Sequence, residues 1–324
     1  MKNHRGSSPR GSRLRGSRPR GSSPTVKEGS SLGSSALLNS RATAPKSTAP
    51  KSTAPKSTVP NATAPITLLT DFGTADYYVG AVKGVVLSIN PSATIVDLTH
   101  DIPPHDIEAG AFVLLGSYRS FPKGTIHIGV VDPGVGSARR PIIVCAGDQL
   151  FIGPDNGLFS CVLDCEVDCQ VFHAVEEKYF RQPVSTTFHG RDVFGPIAAE
   201  LSNGVAPDSF GPQIKDAVRL PSLKPEVLKK GKVKGRIIHI DRFGNCVTNI
   251  DRGVEVNQTT TLRVNGKTIE SFREFYGEGK KRSKLFAIWG SAGFLEISAQ
   301  NRSAAKMLKA KRGDAVVVVS TTTR

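Results

Sequence analysis

The sequence predicts an α/β fold: an N-terminal, mainly parallel sheet sandwiched by helices, then a smaller C-terminal β-barrel or β-sandwich domain, all preceded by a disordered basic tail. Three observations carry this. From Ile66, short β-rich runs alternate with stretches of helical apolar spacing, the pattern of a parallel sheet covered on both faces. Beyond residue 235 the apolar runs are short and divided by turns, as in a small all-β domain. Before residue 66 the chain is too polar and repetitive to offset the entropy of ordering it.

Taken in order, Ile66-Thr-Leu-Leu-Thr reads as the first strand, with Asp71-Phe-Gly at its edge. Residues 75–89 place Tyr78, Val82, Val85, Val86 and Ile89 on one helical face, and Asn90-Pro91 ends that helix. A strand follows over Thr94–Leu98, a second helix over His105–Tyr118, and a third strand over Thr125–Val131. Pro141–Cys145 and Leu150–Ile152 read as a further pair of strands, and Val193–Leu201 as a helix closed by Asn203-Gly204. Residues 220–235 are rich in Pro, Lys and Gly and read as a linker, giving an α/β catalytic domain over 66–219 and a β domain over 236–324. In the β domain the expected strands are Ile237–Ile240, Cys246–Ile250, Thr261–Val264, Leu285–Trp289, Phe294–Ile297 and Ala315–Ser320.

At 324 residues the chain is long enough for about two domains, and its net charge of +15 suggests a nucleic-acid binder. The charge is not evenly spread. Residues 1–65 hold twelve Lys and Arg against Glu28, which leaves 31 basic and 27 acidic residues, a net +4, for 66–324. Arg-Gly-Ser units over 5–23 and Ala-Pro-Lys-Ser-Thr units over 44–60 make this tail low in complexity. It reads as an inert extension, an organelle transit peptide, or an electrostatic tether to nucleic acid or anionic membrane. No apolar run approaches the 18 or so residues of a membrane span, and no secretory signal is visible, so the expected location is the cytoplasm, or an organelle if the tail is a transit peptide. Five cysteines suit a reducing compartment rather than a disulfide framework. Cys161, Cys165 and Cys169 recur at the spacing of one helix face, with His173 continuing the step, but half-buried thiols explain them better than a metal site.

Ligands of open α/β sheets gather beyond the carboxyl ends of the strands, where Asp71, Asp132 and Asp155 are expected to meet. Val131-Asp-Pro-Gly-Val-Gly-Ser-Ala-Arg-Arg140 is the densest signal. Its Gly134 and Gly136 tempt a dinucleotide reading, yet Arg139 stands where the third glycine belongs. The tight loop instead turns Arg139 back toward Asp132, either as an ordinary loop salt bridge or as an anion and a fixed cation in one cleft. Phe188-His-Gly-Arg-Asp192 places a histidine just before a helix, structural or proton-carrying, with Arg191 and Asp192 able to pair or to cap. Asp241-Arg-Phe-Gly-Asn245 is a turn between strands that can also hold an amine and a ring.

Together, Thr70-Asp-Phe-Gly73, Val131–Gly136, Pro154-Asp-Asn-Gly157, Phe188–Asp192 and Asp241–Asn245 closely resemble the S-adenosyl-L-methionine (SAM) hydroxide adenosyltransferases, relatives of the SAM-dependent fluorinases and chlorinases. The resemblance spans about residues 66–320. It implies water or hydroxide attack at C5′ of SAM, releasing adenosine and L-methionine, with no metal and no cofactor. It implies a homotrimer with SAM held between one subunit's N-terminal domain and its neighbour's C-terminal domain. The catalytic set it implies is Asp132, Arg139 and His189. The substrate-binding set is Asp71 at the ribose hydroxyls, Asp241 at the ammonium, and Asn245 at the nucleoside end, with Ser291 and Asn301 lining the pocket; Phe243 and Tyr276 are candidates either to flank adenine or to pack in the core. The halogenases place Tyr and Thr where this chain has Asp132 and Val135, and a small hydroxyl residue where it has Gly190. A carboxylate at that corner repels a halide, which disfavours the halogenase alternative. A non-catalytic nucleoside- or SAM-binding protein tethered by its tail is the remaining alternative.

Overall fold

The computed structural model describes residues 64–229, 231–256, 259–278 and 285–320. The disorder expected for residues 1–65 falls, save for Ala64 and Pro65, outside these residues. All described residues belong to one unit, Thr53–Arg324, built as two lobes with a sheet each.

The first lobe contains strands β1 (Ile66–Thr70), β2 (Ile95–Thr99), β3 (Ile126–Val130), β4 (Pro141–Ala146), β5 (Gln149–Pro154), β6 (Gln170–His173) and β7 (Gln213–Ile214). They form one sheet in the order β2-β1-β3-β5-β4-β6-β7. β2, β1, β3 and β5 run parallel, as the alternating pattern predicts. The hairpin from β4 to β5 reverses direction, so β4, β6 and β7 extend the sheet antiparallel. Only two residues separate β4 from β5, too few for the crossover that a parallel pair requires.

Helices α1 (Tyr78–Ile89) and α4 (Gly195–Ser202) cover one face, where Val82, Val86, Ile197 and Leu201 pack on Ile66, Leu68 and Ile128. α2 (Ile107–Ser117) and α3 (Ser160–Cys165) cover the other, through Leu114 and Val162 with Leu69, Val131 and Phe151. β1 and β3 are buried on both faces and therefore show no strict alternation of apolar and polar residues, with Thr67 and His127 the polar members of their interior. α1 starts at Tyr78 rather than at residue 75. α3 ends at Cys165, so the single helix face expected for Cys161, Cys165 and Cys169 does not form: Cys161 is buried, Cys165 exposed, and Cys169 lies beyond the helix. Among the described residues no group of three or more His, Cys, Asp or Glu is placed to hold a metal. No described helix is long and apolar enough to cross a membrane.

The second lobe comprises β8 (Glu226–Val227), β9 (Lys232–Ile240), β10 (Cys246–Asp251), β11 (Thr261–Val264), β12 (Lys267–Ile269), β13 (Phe272–Arg273), β14 (Leu285–Trp289), β15 (Phe294–Ala299) and β16 (Ala315–Val319), with helix α5 (Ala304–Leu308). Its main path is β12-β11-β16-β9-β10-β15-β14-β13, with β8 added on β9. Ile237, Leu262, Leu295, Ile297, Val316 and Leu308 of α5 share its core. α2 ties the lobes together: Phe112 stacks on His239 with ring centroids 4.9 Å apart, Glu108 pairs with Arg236 at 2.6 Å, and Asp106 pairs with Arg312.

Candidate functional site

The parallel register that sets Thr70 of β1 beside Val130 of β3 brings the residues just past both strands, Asp71 and Asp132, to one edge of the first lobe. Both line a hollow of about 440 Å³, together with Phe72, Tyr77, Tyr78, His105, Phe188 and His189. The third carboxylate expected there is elsewhere. Asp155 is buried and bound to Arg140 at 2.6 Å and to the Val218 amide at 2.8 Å, so it fastens the 216–218 segment instead of facing the hollow.

Asp71 is aimed by its neighbours. Its Oδ2 accepts the amide of His105 at 2.8 Å, and His105 holds φ 66°, a left-handed conformation uncommon outside glycine. The Asp71 loop is braced by Thr70, whose hydroxyl meets Nδ1 of the buried His100 at 2.9 Å.

The loop after β3 folds as the glycines predict. Gly136 takes φ 77°, and a Cβ there would overlap the Thr186 carbonyl oxygen. This close approach returns Arg139 to Asp132, where Nε meets Oδ1 at 3.0 Å and Nη2 meets Oδ2 at 2.5 Å in a two-pronged pair. Nη2 also donates to Nδ1 of His189 at 2.7 Å. The Asp132 and Arg139 side chains are only 5% and 9% exposed, so the pair is largely desolvated. Arg139 lies behind the other two: Asp132 and His189 line the hollow, while the guanidinium carbon sits 5.3 Å from the centre of the Phe194 ring. Burial, reinforced by Arg139, pushes the His189 pKa below its ordinary value, against a smaller pull from Asp132 and Asp192.

His189 enters a π turn, Gly190–Phe194, that runs into α4. Arg191 and Asp192 do pair with each other, at 2.7 Å and 2.8 Å. The fully buried Asp192 also accepts the Ser185 amide at 2.9 Å and Arg181 at 3.2 Å, which fixes the segment carrying Ser185 and Thr187 along the hollow.

A second hollow, of about 800 Å³, lies in the β lobe and shares no lining residue with the first. Asp241, Asn245, Ser291 and Asn301, expected from the sequence to bind substrate, all line it, as do Phe243 and Tyr276. Asp241 is oriented by Asn245, whose amide and Nδ2 each reach it at 2.8 Å. Among the other lining residues, Trp289, Glu296, Gln300 and Arg302 escaped the sequence reading as site residues. Alternation along β15 places Glu296 on the face opposite Leu295 and Ile297, a weak signal because the solvent face of any strand shows it.

The α/β lobe thus carries an Asp-Arg-His unit at its strand ends, and the β lobe carries a separate hollow that gathers acids, amides and aromatic rings. The SAM hydroxide adenosyltransferase N-terminal domain matches residues 66–211, and the C-terminal domain of the same family matches residues 235–317. The (R)-S-adenosyl-L-methionine hydrolase of Methanocaldococcus jannaschii is 36% identical over 270 residues, covering 78% of this chain and 95% of the relative. The enzyme of the same name from Thermus thermophilus is 35% identical over 257 residues, covering 77% and 97%. A fluorinase from Actinoplanes is 30% identical over 213 residues, covering 58% and 72%. The solved structure of an uncharacterized conserved protein from Thermotoga maritima superposes with a TM-score of 0.75 at 33% identity, over 79% of this chain and all of that one. The chain belongs to the SAM hydroxide adenosyltransferase family.

Proposed function

We propose that this protein hydrolyses S-adenosyl-L-methionine to adenosine and L-methionine by attack of water or hydroxide on C5′. The observation that carries the reading is the Asp132–Arg139–His189 unit at the rim of the first hollow, in a chain whose hydrolase relatives align over nearly their full length.

The chemistry fits these residues. The sulfonium is already a good leaving group, so the site has only to hold water in line with the C5′–S bond and exclude competing solvent. Oxygen bonds to C5′ as the C5′–S pair leaves to sulfur, giving the neutral thioether of methionine. The water becomes strongly acidic as its bond to carbon forms, so a carboxylate can accept its proton. Asp132 is that acceptor. Its oxygens keep lone pairs beyond those engaged by Arg139. His189, whose Nδ1 is taken up by an Arg139 N–H, donates from Nε2 to the water or the ribose. Arg139 holds both in place and offsets the carboxylate's charge. The reading asks for no cofactor and no metal.

Asp71 serves the two ribose hydroxyls, Asp241 the ammonium and Asn245 the nucleoside end, with Ser291, Asn301, Phe243 and Tyr276 around them. Two separate hollows suit a homotrimer in which one copy's first hollow closes on a neighbour's second. The halide alternative lacks support: fluorinase relatives align at lower identity than the hydrolases, and Asp132 occupies the corner the resemblance assigns to halide. Binding to nucleic acid is left to the basic tail, with the cytoplasm as the expected setting.

Incubating the full chain with SAM and separating the products tests the reading. Adenosine and methionine in equal amounts support it, 5′-halo-adenosine in chloride or fluoride buffer supports the halogenase, and tight binding without product supports a binding protein. Mixing inactive Asp132→Asn subunits with inactive Asp241→Ala subunits tests the shared site, because a mixed trimer regains complete sites and activity.

A further inference from the structure

The two lobes carry opposite charge. Residues 66–219 hold 10 Lys and Arg against 18 Asp and Glu, a net −8, whereas residues 220–324 hold 21 against 9, a net +12. The near balance of residues 66–324 therefore hides a division, and nucleic acid, assigned above to the tail, meets a second basic element in the β lobe. A body polarised in this way turns its basic side toward polyanions.

The strand register gathers part of that charge on one face. Arg263 of β11 lies opposite Val317 of β16, which lies opposite Lys234 of β9. Thr261, Val319 and Lys232 form the next row. Residues directly opposite one another share a face, and the alternating Leu262, Val264, Val316 and Val318 belong to the core, so both rows point outward. Lys232, Lys234 and Arg263 are exposed. Lys232 and Arg263 have no ion-pair partner among the described residues, and Lys234 reaches Glu226 only at 3.8 Å. Arg236, the next outward residue of β9, is taken up by Glu108 at 2.6 Å. Strand geometry sets Lys232 and Lys234 about 7 Å apart, with Arg263 about 10 Å from Lys234 across two strand spacings.

Charge and position narrow the choice of occupant. The tail has the same sign as the face and is no complement to it. Neither hollow is lined by a residue of these rows, so a trimer that closes hollow on hollow does not use them. The rows hold cations and β-branched side chains but no aromatic ring, which suits contact with phosphates rather than stacking on bases. A flexible strand can follow the twist of such a face.

We propose that the outward face of β9, β16 and β11 binds the phosphate backbone of single-stranded nucleic acid without preference for sequence. This is a second activity of the β lobe, separate from SAM hydrolysis.

Fluorescence anisotropy of a short labelled RNA of mixed sequence, titrated with the full chain at a series of salt concentrations, tests the proposal. Combining Lys232→Gln, Lys234→Gln and Arg263→Gln is expected to weaken binding about tenfold or more at low salt and to make the slope of log K against log salt shallower by about 2, or about 0.7 for each substitution made alone. Combining Lys123→Gln, Lys178→Gln and Lys215→Gln removes as much charge from the exposed surface of the first lobe and should leave affinity within about twofold of wild type. Circular dichroism checks that both variants are folded, and adenosine release should be unchanged in both. No binding by the wild type, or full binding by the β-lobe variant, overturns the proposal, the latter leaving the tail as the whole of the contact. Equal losses in the two variants overturn it in favour of net charge alone. Binding to phosphatidylserine vesicles that the β-lobe variant loses while it retains RNA assigns the face to a membrane instead.

Discussion

Nη2 of Arg139 donates to Nδ1 of His189 across 2.7 Å. A guanidinium has donors only, so Nδ1 must accept and the neutral imidazole carries its proton on Nε2. The histidine is thereby a donor to the hollow and not a base, and burial together with Arg139 holds it neutral to a lower pH than usual. An amide that can still donate should replace it in part: His189→Gln is expected to keep kcat within about tenfold of wild type, and His189→Ala to lose roughly 10²-fold or more. The acid limb that His189 contributes to kcat/KM should lie below about 6.5, since protonation at Nδ1 sets a proton against Arg139. A pH profile whose His189-dependent limb falls at or above that value, or equal activity of the two variants, speaks against the donor role.

Asp132 is the other half of the unit, and its loss has two expected consequences. Asp132→Asn removes the proton acceptor and should lower kcat by roughly 10²–10⁴. It also leaves Arg139, 9% exposed, without its counter-charge, at a cost of about 3 kcal/mol in stability. Denaturant titration measures the second effect, and turnover at a temperature where circular dichroism shows the variant folded measures the first. Near wild-type kcat in the folded variant removes Asp132 from the chemistry.

Asp71 and Asp132 were legible in the sequence because parallel strands deliver whatever follows them to the same edge, and a glycine-bearing loop has few ways to turn. Asp155 also follows a strand, but β5 continues as far as Pro154 and adjoins the antiparallel half of the sheet, where Arg140 waits across the hairpin. That pairing depends on strand direction, which local spacing does not encode. Arg139 was legible as a partner of Asp132, yet its place behind the acid and the histidine is a matter of depth that only packing against Phe194 decides. Glu296 was invisible for a related reason. Its alternation along β15 matches that of any half-exposed strand, and nothing local says that its face meets a hollow instead of open solvent.

His127 sits in the core of the first sheet with no exposure, its ring between Thr67 at 2.7 Å and Gln149 at 3.2 Å. Burial pushes its pKa down to about 4, so the folded protein keeps it neutral through a range in which the unfolded chain takes up a proton. Between about pH 6.5 and about pH 4 the unfolded state binds more protons than the folded one, so stability falls as the pH drops through that window. The loss amounts to about 3 kcal/mol at its acid end. His127→Asn does not titrate there, so the free-energy gap between wild type and variant should narrow from pH 6.5 to pH 4 in denaturant titrations. Parallel curves across that range would show that His127 is not the responsible group.

Gly290 precedes the turn between β14 and β15, and its missing side chain leaves the space that Oε1 of Glu296 occupies. Alanine there keeps every charge in the hollow but forces the flexible end of Glu296 to swing aside, away from the position Tyr276 helps to hold. In the proposed reading this hollow takes the ammonium end of the substrate through Asp241, so moving a neighbouring carboxylate should disturb binding and not the chemistry. Gly290→Ala is expected to raise the KM for SAM several-fold with kcat little changed, because Asp132 and His189 stand in the other hollow. Combining it with Glu296→Gln should add little, since both changes act through the same carboxylate at two residues in direct touch. Additive losses in the double variant, measured as ratios of kcat/KM, would mean that the glycine acts on the hollow by another route.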